Sequence, residues 1–235
     1  MPQSDELLVK LPEAIIFDLD GTLVDSYEAI TASVNHVRSA YGLPPLPESE
    51  VRRHVGRGPT YLLEKTVTGG DIVKDLAKYR AHHPSVLRSG THLLAGVAST
   101  LKALKQGGFL LGICSNKPGP YTRELLDYLE LSSLFAAVIG PEDAPRIKPA
   151  PDMLKAALAR LRIAPANALY VGDMVVDVQT ARAAGVTVWV IPTGSDDLAT
   201  LLAAQPDRIL KSFDELVPLL AKKKGSGPFS TVFHR

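Results

Sequence analysis

Two aspartates separated by one leucine stand at the end of a short apolar run, AIIFDLDGT at residues 14–22. On an extended backbone residues two apart share a face, so Asp18 and Asp20 can serve one reacting group. One carboxylate can attack as a nucleophile while the other gives and then takes a proton, which splits a difficult displacement into two easier ones. FLLGICS ends in Ser115-Asn116-Lys117, ALYVGD ends in Gly172-Asp173 with Asp177 four residues on, and Lys148 lies in the loop before Pro151. Such a mixture suits an anionic substrate, above all a phosphate monoester. Hydroxyl and amide donors hold its oxygens, a lysine offsets its charge, and Asp18 and Asp173 offer hard oxygen ligands to Mg2+.

The elements that must position these residues read as apolar strands alternating with amphipathic helices. The strands are Ala14–Leu19, FLLGICS, AAVIG, ALYVGD and TVWVIP, with a weaker one at Arg208–Lys211. Between them the spacing predicts helices over Val97–Gln106, Pro120–Leu129, Pro151–Leu161 and about Asp177–Ala184, and a short one at Asp196–Ala204. This rhythm predicts an α/β fold, a doubly wound parallel sheet of Rossmann type with helices on both faces. In such sheets ligands bind beyond the carboxyl ends of the strands, where the polar residues above fall. One stretch breaks the rhythm: from Ser26 to Leu87 only helical patterns occur, so an α-helical cap is expected as an insertion. The division read from this is a core of residues 1–25 and 92–221, a cap of 26–91 and a mobile tail of 222–235.

In their order and topological places these segments resemble the four motifs of the haloacid dehalogenase superfamily of phosphotransferases. FDLDGTLVDS (Phe17–Ser26) corresponds to the first, SNK to the second, the lysine of IKPAP to the third and GDMVVD to the fourth. The resemblance spans about residues 14 to 220 and implies a Mg2+-dependent phosphatase working through an aspartyl-phosphate. Asp18 is then the nucleophile, Asp20 the acid and base, and Lys148 the charge-offsetting group. Gly21, Thr22, Ser115, Asn116 and Arg57 are the expected phosphate- and substrate-binding residues, and Asp18, Asp20, Asp173 and Asp177 the expected metal ligands; Asp177 can alternatively steady Lys148. Members that dehalogenate lack an acid at the position of Asp20, which favours ester hydrolysis. Val55-Gly56-Arg57-Gly58 resembles the cap loop of phosphoglycolate phosphatases, which implies 2-phosphoglycolate as substrate, with Arg57 at the tip pairing with its carboxylate. The alternatives are a sugar-phosphate mutase of the β-phosphoglucomutase type and a catalytically silent relative that binds a ligand or partner.

Composition narrows the field further. The 235 residues are 46% hydrophobic and 22% charged, with a formal net charge of +1. That balance excludes a bulk electrostatic drive toward nucleic acid or membrane surfaces. The expected partner is a small phosphorylated metabolite; the cytoplasm is expected from a lone cysteine and no basic-then-apolar leader, and a monomer because the cap can close over the site within one chain. Cys114 lies inside an apolar strand and reads as a buried small hydrophobe. His82 and His83, adjacent on a helix, read as a solvated face. The Lys148-Pro149 bond is expected to be cis.

Overall fold

The computed structural model describes residues 11–221. In chain order its strands and helices are β1 (Ala14–Phe17), β2 (Val24–Asp25), α1 (Tyr27–Ser39), α2 (Glu48–Arg52), α3 (Gly58–Thr66), α4 (Ile72–Leu87), β3 (His92–Leu93), α5 (Val97–Gln106), β4 (Leu110–Cys114) and α6 (Gly119–Tyr128). There follow β5 (Phe135–Ile139), α7 (Asp152–Leu161), β6 (Ala168–Gly172), α8 (Val175–Ala184), β7 (Thr187–Val190), α9 (Leu198–Ala203), β8 (Arg208–Ile209) and α10 (Leu216–Ala221). The tail expected at 222–235 lies outside the described residues.

Six strands form one parallel sheet in the order β5-β4-β1-β6-β7-β8. Side chains alternate across it, as a period of two requires. Ile15 and Phe17 pack with Val97, Leu101, Leu125 and Leu216 from α5, α6 and α10. Ala14 and Ile16 pack with Met153, Leu158, Val178 and Leu201 from α7, α8 and α9. Both faces are therefore covered, which is why β1 and β6 read as unbroken apolar runs. Chain order reverses around β1, so the crevice lies over β1, β4 and β6.

Helices α1–α4 are the insertion, and they bury a hydrophobic cluster of their own around Tyr27, Ile30, Val34, Leu62, Leu63 and Tyr79. Where the chain enters and leaves this cap, β2 and β3 pair antiparallel, Val24 with Leu93 and Asp25 with His92. That two-residue ladder has no hydrophobic period and is invisible to pattern reading. Pro84 sits inside α4 and cannot donate to the carbonyl of Arg80 one turn back. Tyr121 of α6 supplies the missing donor through its hydroxyl at 3.2 Å, and so joins core to cap. Among the described residues no helix is long and apolar enough to cross a membrane.

Candidate active site

β1, β4 and β6 end side by side, and each hands a polar group to the same place. Asp18 follows β1, Ser115 follows β4 and Asp173 follows β6; all three are buried. Lys148 reaches in from the loop before α7. Its ammonium lies 2.9 Å from Asp18 Oδ2 and 2.7 Å from Asp177 Oδ1, and donates to the Tyr170 hydroxyl at 3.1 Å. All three of its N–H bonds are thereby engaged. Burial alone would lower the Lys148 pKa, but Asp177 and Asp18 outweigh it and hold the group charged. The Lys148-Pro149 peptide is cis, in line with expectation.

The loops after β1 and β7 are shaped around the Asp173 carboxylate. Thr22 donates to Oδ1. A Cβ on Gly21, which has φ +85°, or on Gly194 would run into the Asp173 side chain. Asp177, at the start of α8, accepts the backbone N–H groups of Asp173 at 3.1 Å and Met174 at 3.0 Å through Oδ2. Both its oxygens are thus committed, one to Lys148 and one to the turn.

Asp18, Asp173 and Asp177 each bring a carboxylate oxygen within 4.8 Å of the others. Crowding of this kind disfavours ionisation. Burial pushes Asp18 up to about 6, opposed in part by Lys148. Burial, then the charges of Asp177 and Asp18, push Asp173 well above the usual carboxylate range. Asp18 Oδ1 and Asp173 Oδ2 are buried and have no hydrogen-bond partner. Two unpartnered hard oxygens in a surplus of negative charge fit a small divalent cation, and carboxylates are the donors Mg2+ takes.

Asp20 is placed differently from the expected ligand set. Its carboxylate turns toward Ser26, whose hydroxyl donates at 2.6 Å, and toward Lys117, whose ammonium lies 3.1 and 3.2 Å from the two oxygens. It is not one of the three carboxylates whose oxygens lie within 4.8 Å of one another. Ser26 stands at the N-cap of α1 yet makes no cap bond, its hydroxyl being used on Asp20.

A cleft of about 40 Å³ opens between core and cap, lined on the core side by Asp18, Asp20, Ser115, Asn116 and Lys117. Its cap side is mostly apolar, Ile30, Val55, Pro59, Leu62 and Tyr79, with His83 beside them. The Val55–Gly58 loop does dip into the site. Gly56, at φ +102°, leaves no space for a Cβ against Met174, and its carbonyl accepts from Asn116 Nδ2 at 2.9 Å.

Several expected binding residues have other occupations. Asn116 Nδ2 also donates to the Lys148 carbonyl at 3.1 Å, and its Oδ1 accepts the Lys148 N–H at 2.9 Å. Its side chain thus positions two loops and has no donor left for phosphate. Thr22 serves Asp173, and Gly21 clears room for it. Arg57, the expected carboxylate partner, is exposed and outside the cleft lining, with its guanidinium 5.1 Å from the Tyr61 ring centre. As the N-cap of α3 its backbone belongs to the loop, but the side chain is carried to the outer face, where an aromatic ring is the nearest partner. His83 also departs from expectation. It is buried, hydrogen-bonded through Nδ1 to Ser33 at 2.9 Å and stacked on Tyr79, and it reaches the cleft. Burial, then the charge of Lys117, lower its pKa to about 3, so it stays neutral. Cys114 is fully buried and its thiol is pushed up to about 12 by burial, an inert packing residue.

Comparison with known proteins agrees with this geometry. Residues 15–191 match the family model of haloacid dehalogenase-like hydrolases. The phosphoglycolate phosphatase of Escherichia coli K12 is 35% identical, the match covering 88% of this chain and 91% of that one. The corresponding protein of Salmonella choleraesuis is 34% identical over the same shares. Among solved structures, a predicted phosphoglycolate phosphatase from Haemophilus somnus 129PT superposes with TM-score 0.81 at 27% identity, covering 88% of this chain and 97% of that one. A predicted phosphatase from Clostridium acetobutylicum gives 0.82 at 25% identity, covering 91% and 100%. The sheet order, the helical insertion after β1 and the carboxylates at the strand ends are those of a chain that belongs to the haloacid dehalogenase-like hydrolase family.

Proposed function

We propose that this phosphoric monoester hydrolase acts on a small ester, 2-phosphoglycolate, through a phosphoryl group carried on Asp18. The observation that carries the reading is the state of Asp18. One oxygen is held by Lys148 at 2.9 Å, and the other is buried, free of any partner and beside the cleft.

Asp18 attacks phosphorus, and the bond to the ester oxygen breaks. Asp20 gives that oxygen a proton, so the alcohol leaves neutral. Asp20, now a carboxylate, takes a proton from water as the water attacks the aspartyl-phosphate, and phosphate and free Asp18 result. Lys148 keeps its charge throughout and lessens the repulsion between Asp18 and the anionic ester. Asp18 and Asp173 would hold Mg2+, which supplies further positive charge against the phosphoryl oxygens. Asp177 acts through Lys148 and the turn after β6, and Ser115 stands beside Asp18 as a donor to phosphate. Residues 26–91 act as a cap that shuts water out of the first step.

The choice of ester draws support from three sides. The relatives named above are phosphoglycolate phosphatases, the cleft is small, and its apolar cap wall suits a short carbon chain. The test is phosphate release from a panel of 2-phosphoglycolate, sugar phosphates and an aryl phosphate, with and without Mg2+. Phosphoglycolate should be the preferred substrate and release should stop without the metal. Activity on sugar phosphates with none on phosphoglycolate, or glucose 6-phosphate formed from β-glucose 1-phosphate, would overturn the reading.

A further inference from the structure

We propose that Lys117 reads a carboxylate on the organic half of the substrate and so sets the preference for acid-bearing phosphate esters. This rests on the hydrolase reading, with Asp20 as proton donor, and adds to it the discriminating residue.

Among the described residues lining the cleft, Lys117 is the one cation. The other basic groups nearby are engaged or turned away. Lys148 has spent its three N–H bonds on Asp18, Asp177 and Tyr170. Arg57 lies on the outer face over Tyr61. Arg52 donates to the carbonyls of Thr193 at 2.7 Å and Gly194 at 3.1 Å and covers the Tyr27 ring at 4.1 Å. His83 is neutral and already bonded to Ser33. A substrate carboxylate entering this cleft meets apolar cap residues on one side and one ammonium on the other. A buried carboxylate without a cation is costly, so the ammonium decides which esters can enter.

Position points the same way. Lys117 Nζ lies 3.1 Å from the carboxylate of Asp20, and its side chain is 4% exposed. An ester oxygen receiving a proton from Asp20 must come within hydrogen-bond reach of that carboxylate. In a glycolate ester the acid carbon is two bonds from the ester oxygen, which brings it to the neighbouring ammonium. The two described contacts of that ammonium both go to Asp20, leaving an N–H for a ligand. An ester without the acid leaves the Lys117–Asp20 pair as it is and the third N–H unused.

The experiment compares kcat/KM for 2-phosphoglycolate and for 2-hydroxyethyl phosphate, which carries an uncharged hydroxyl in place of the carboxylate, in the presence of Mg2+. The wild type should favour phosphoglycolate. Lys117→Met should lower the ratio of the two values by about 10- to 100-fold, the worth of a charged hydrogen bond. Lys117→Arg, which keeps the charge, should retain more of the ratio than Lys117→Met, and Arg57→Ala should leave it within about threefold. Because each ratio is taken within one protein, a loss common to both esters, as from a displaced Asp20, cancels. Lys117→Gln gives the same comparison if the methionine variant fails to fold. A ratio unchanged in Lys117→Met, or lost in Arg57→Ala instead, would overturn the assignment while leaving the substrate reading in place. Equal rates on the two esters in the wild type would overturn both.

Discussion

Replacing Lys148 by methionine removes the one cation from the Asp18, Asp173 and Asp177 group while nearly preserving volume. In the native protein that ammonium is fully buried and lies 2.9 and 2.7 Å from two equally buried carboxylates. Breaking such a pair from one side leaves uncompensated buried charge and costs about 3–5 kcal/mol. The cost depends on pH, with a sign the structure dictates. Asp18 is pushed up to about 6 by burial even with Lys148 opposing. A group whose native pKa exceeds its unfolded value contributes stability that is full below the unfolded pKa, about 4, and is lost as pH rises through the native one. Without Lys148 the native pKa climbs further, so the variant goes on losing stability at pH values where the wild type has levelled off. Urea unfolding in EDTA at pH 5 and pH 8 measures this. With an m-value of about 2–3 kcal/mol/M, the variant midpoint should fall by roughly 1–2 M at pH 8 and by less at pH 5. Adding Asp177→Asn should cost less than the two single losses summed, with a coupling of about 1–3 kcal/mol. A shift at pH 8 under about 0.3 M, or one larger at pH 5 than at pH 8, would refute the electrostatic account of the site.

Two further outcomes follow from the same geometry. Mg2+ at about 100 times its Kd should stabilise the protein by about 2.7 kcal/mol, visible as a melting shift of roughly 5–10 °C. Asp173→Asn should abolish that shift, whereas Asp20→Asn should keep it while turnover falls about 10²–10⁴-fold; loss of the shift in Asp20→Asn would return Asp20 to the ligand set. Gly56→Ala should lower kcat/KM about 10- to 100-fold by forcing the cap loop off Met174, with partial recovery when Met174→Ala is added. No recovery would mean that the backbone strain at φ +102° and not the sulfur contact is responsible.

How much of this is legible beforehand depends on the distance over which each feature is specified. The buried strands β1, β4 and β6 are local facts, short apolar runs bounded by turn residues, and their polar ends mark the site. Asp18, Ser115 and Asp173 converge because neighbouring parallel strands end together, and Lys148 reaches them from the loop before α7. What pattern reading misses is the direction of a side chain after the backbone has turned. Arg57 occupies the expected loop and faces away from the cleft, while Lys117, one residue beyond the expected donors, faces into it. Thr22 and Asn116 have the chemistry of phosphate ligands, yet their partners, Asp173 and the Gly56 and Lys148 loops, are distant in sequence. His83 is polar in a helix whose polar face should be solvated; its burial against Ser33 and Tyr121 is a tertiary event with no local signature.

The small ladder joining Asp25 to His92 has a meaning in polymer physics. It brings the two ends of a long excursion together at a single point, so to the sheet the whole of α1–α4 is one closed loop. The entropy of closing a loop grows only with the logarithm of its length, about 0.6 kcal/mol for each doubling. A lobe of four helices therefore costs the sheet only about 2–3 kcal/mol more in closure entropy than a turn of a few residues. Lys117 and the carboxylates are all held on the sheet side of that closure, so the lobe can vary in length away from the Gly56 and Arg52 contacts that tie it to the site.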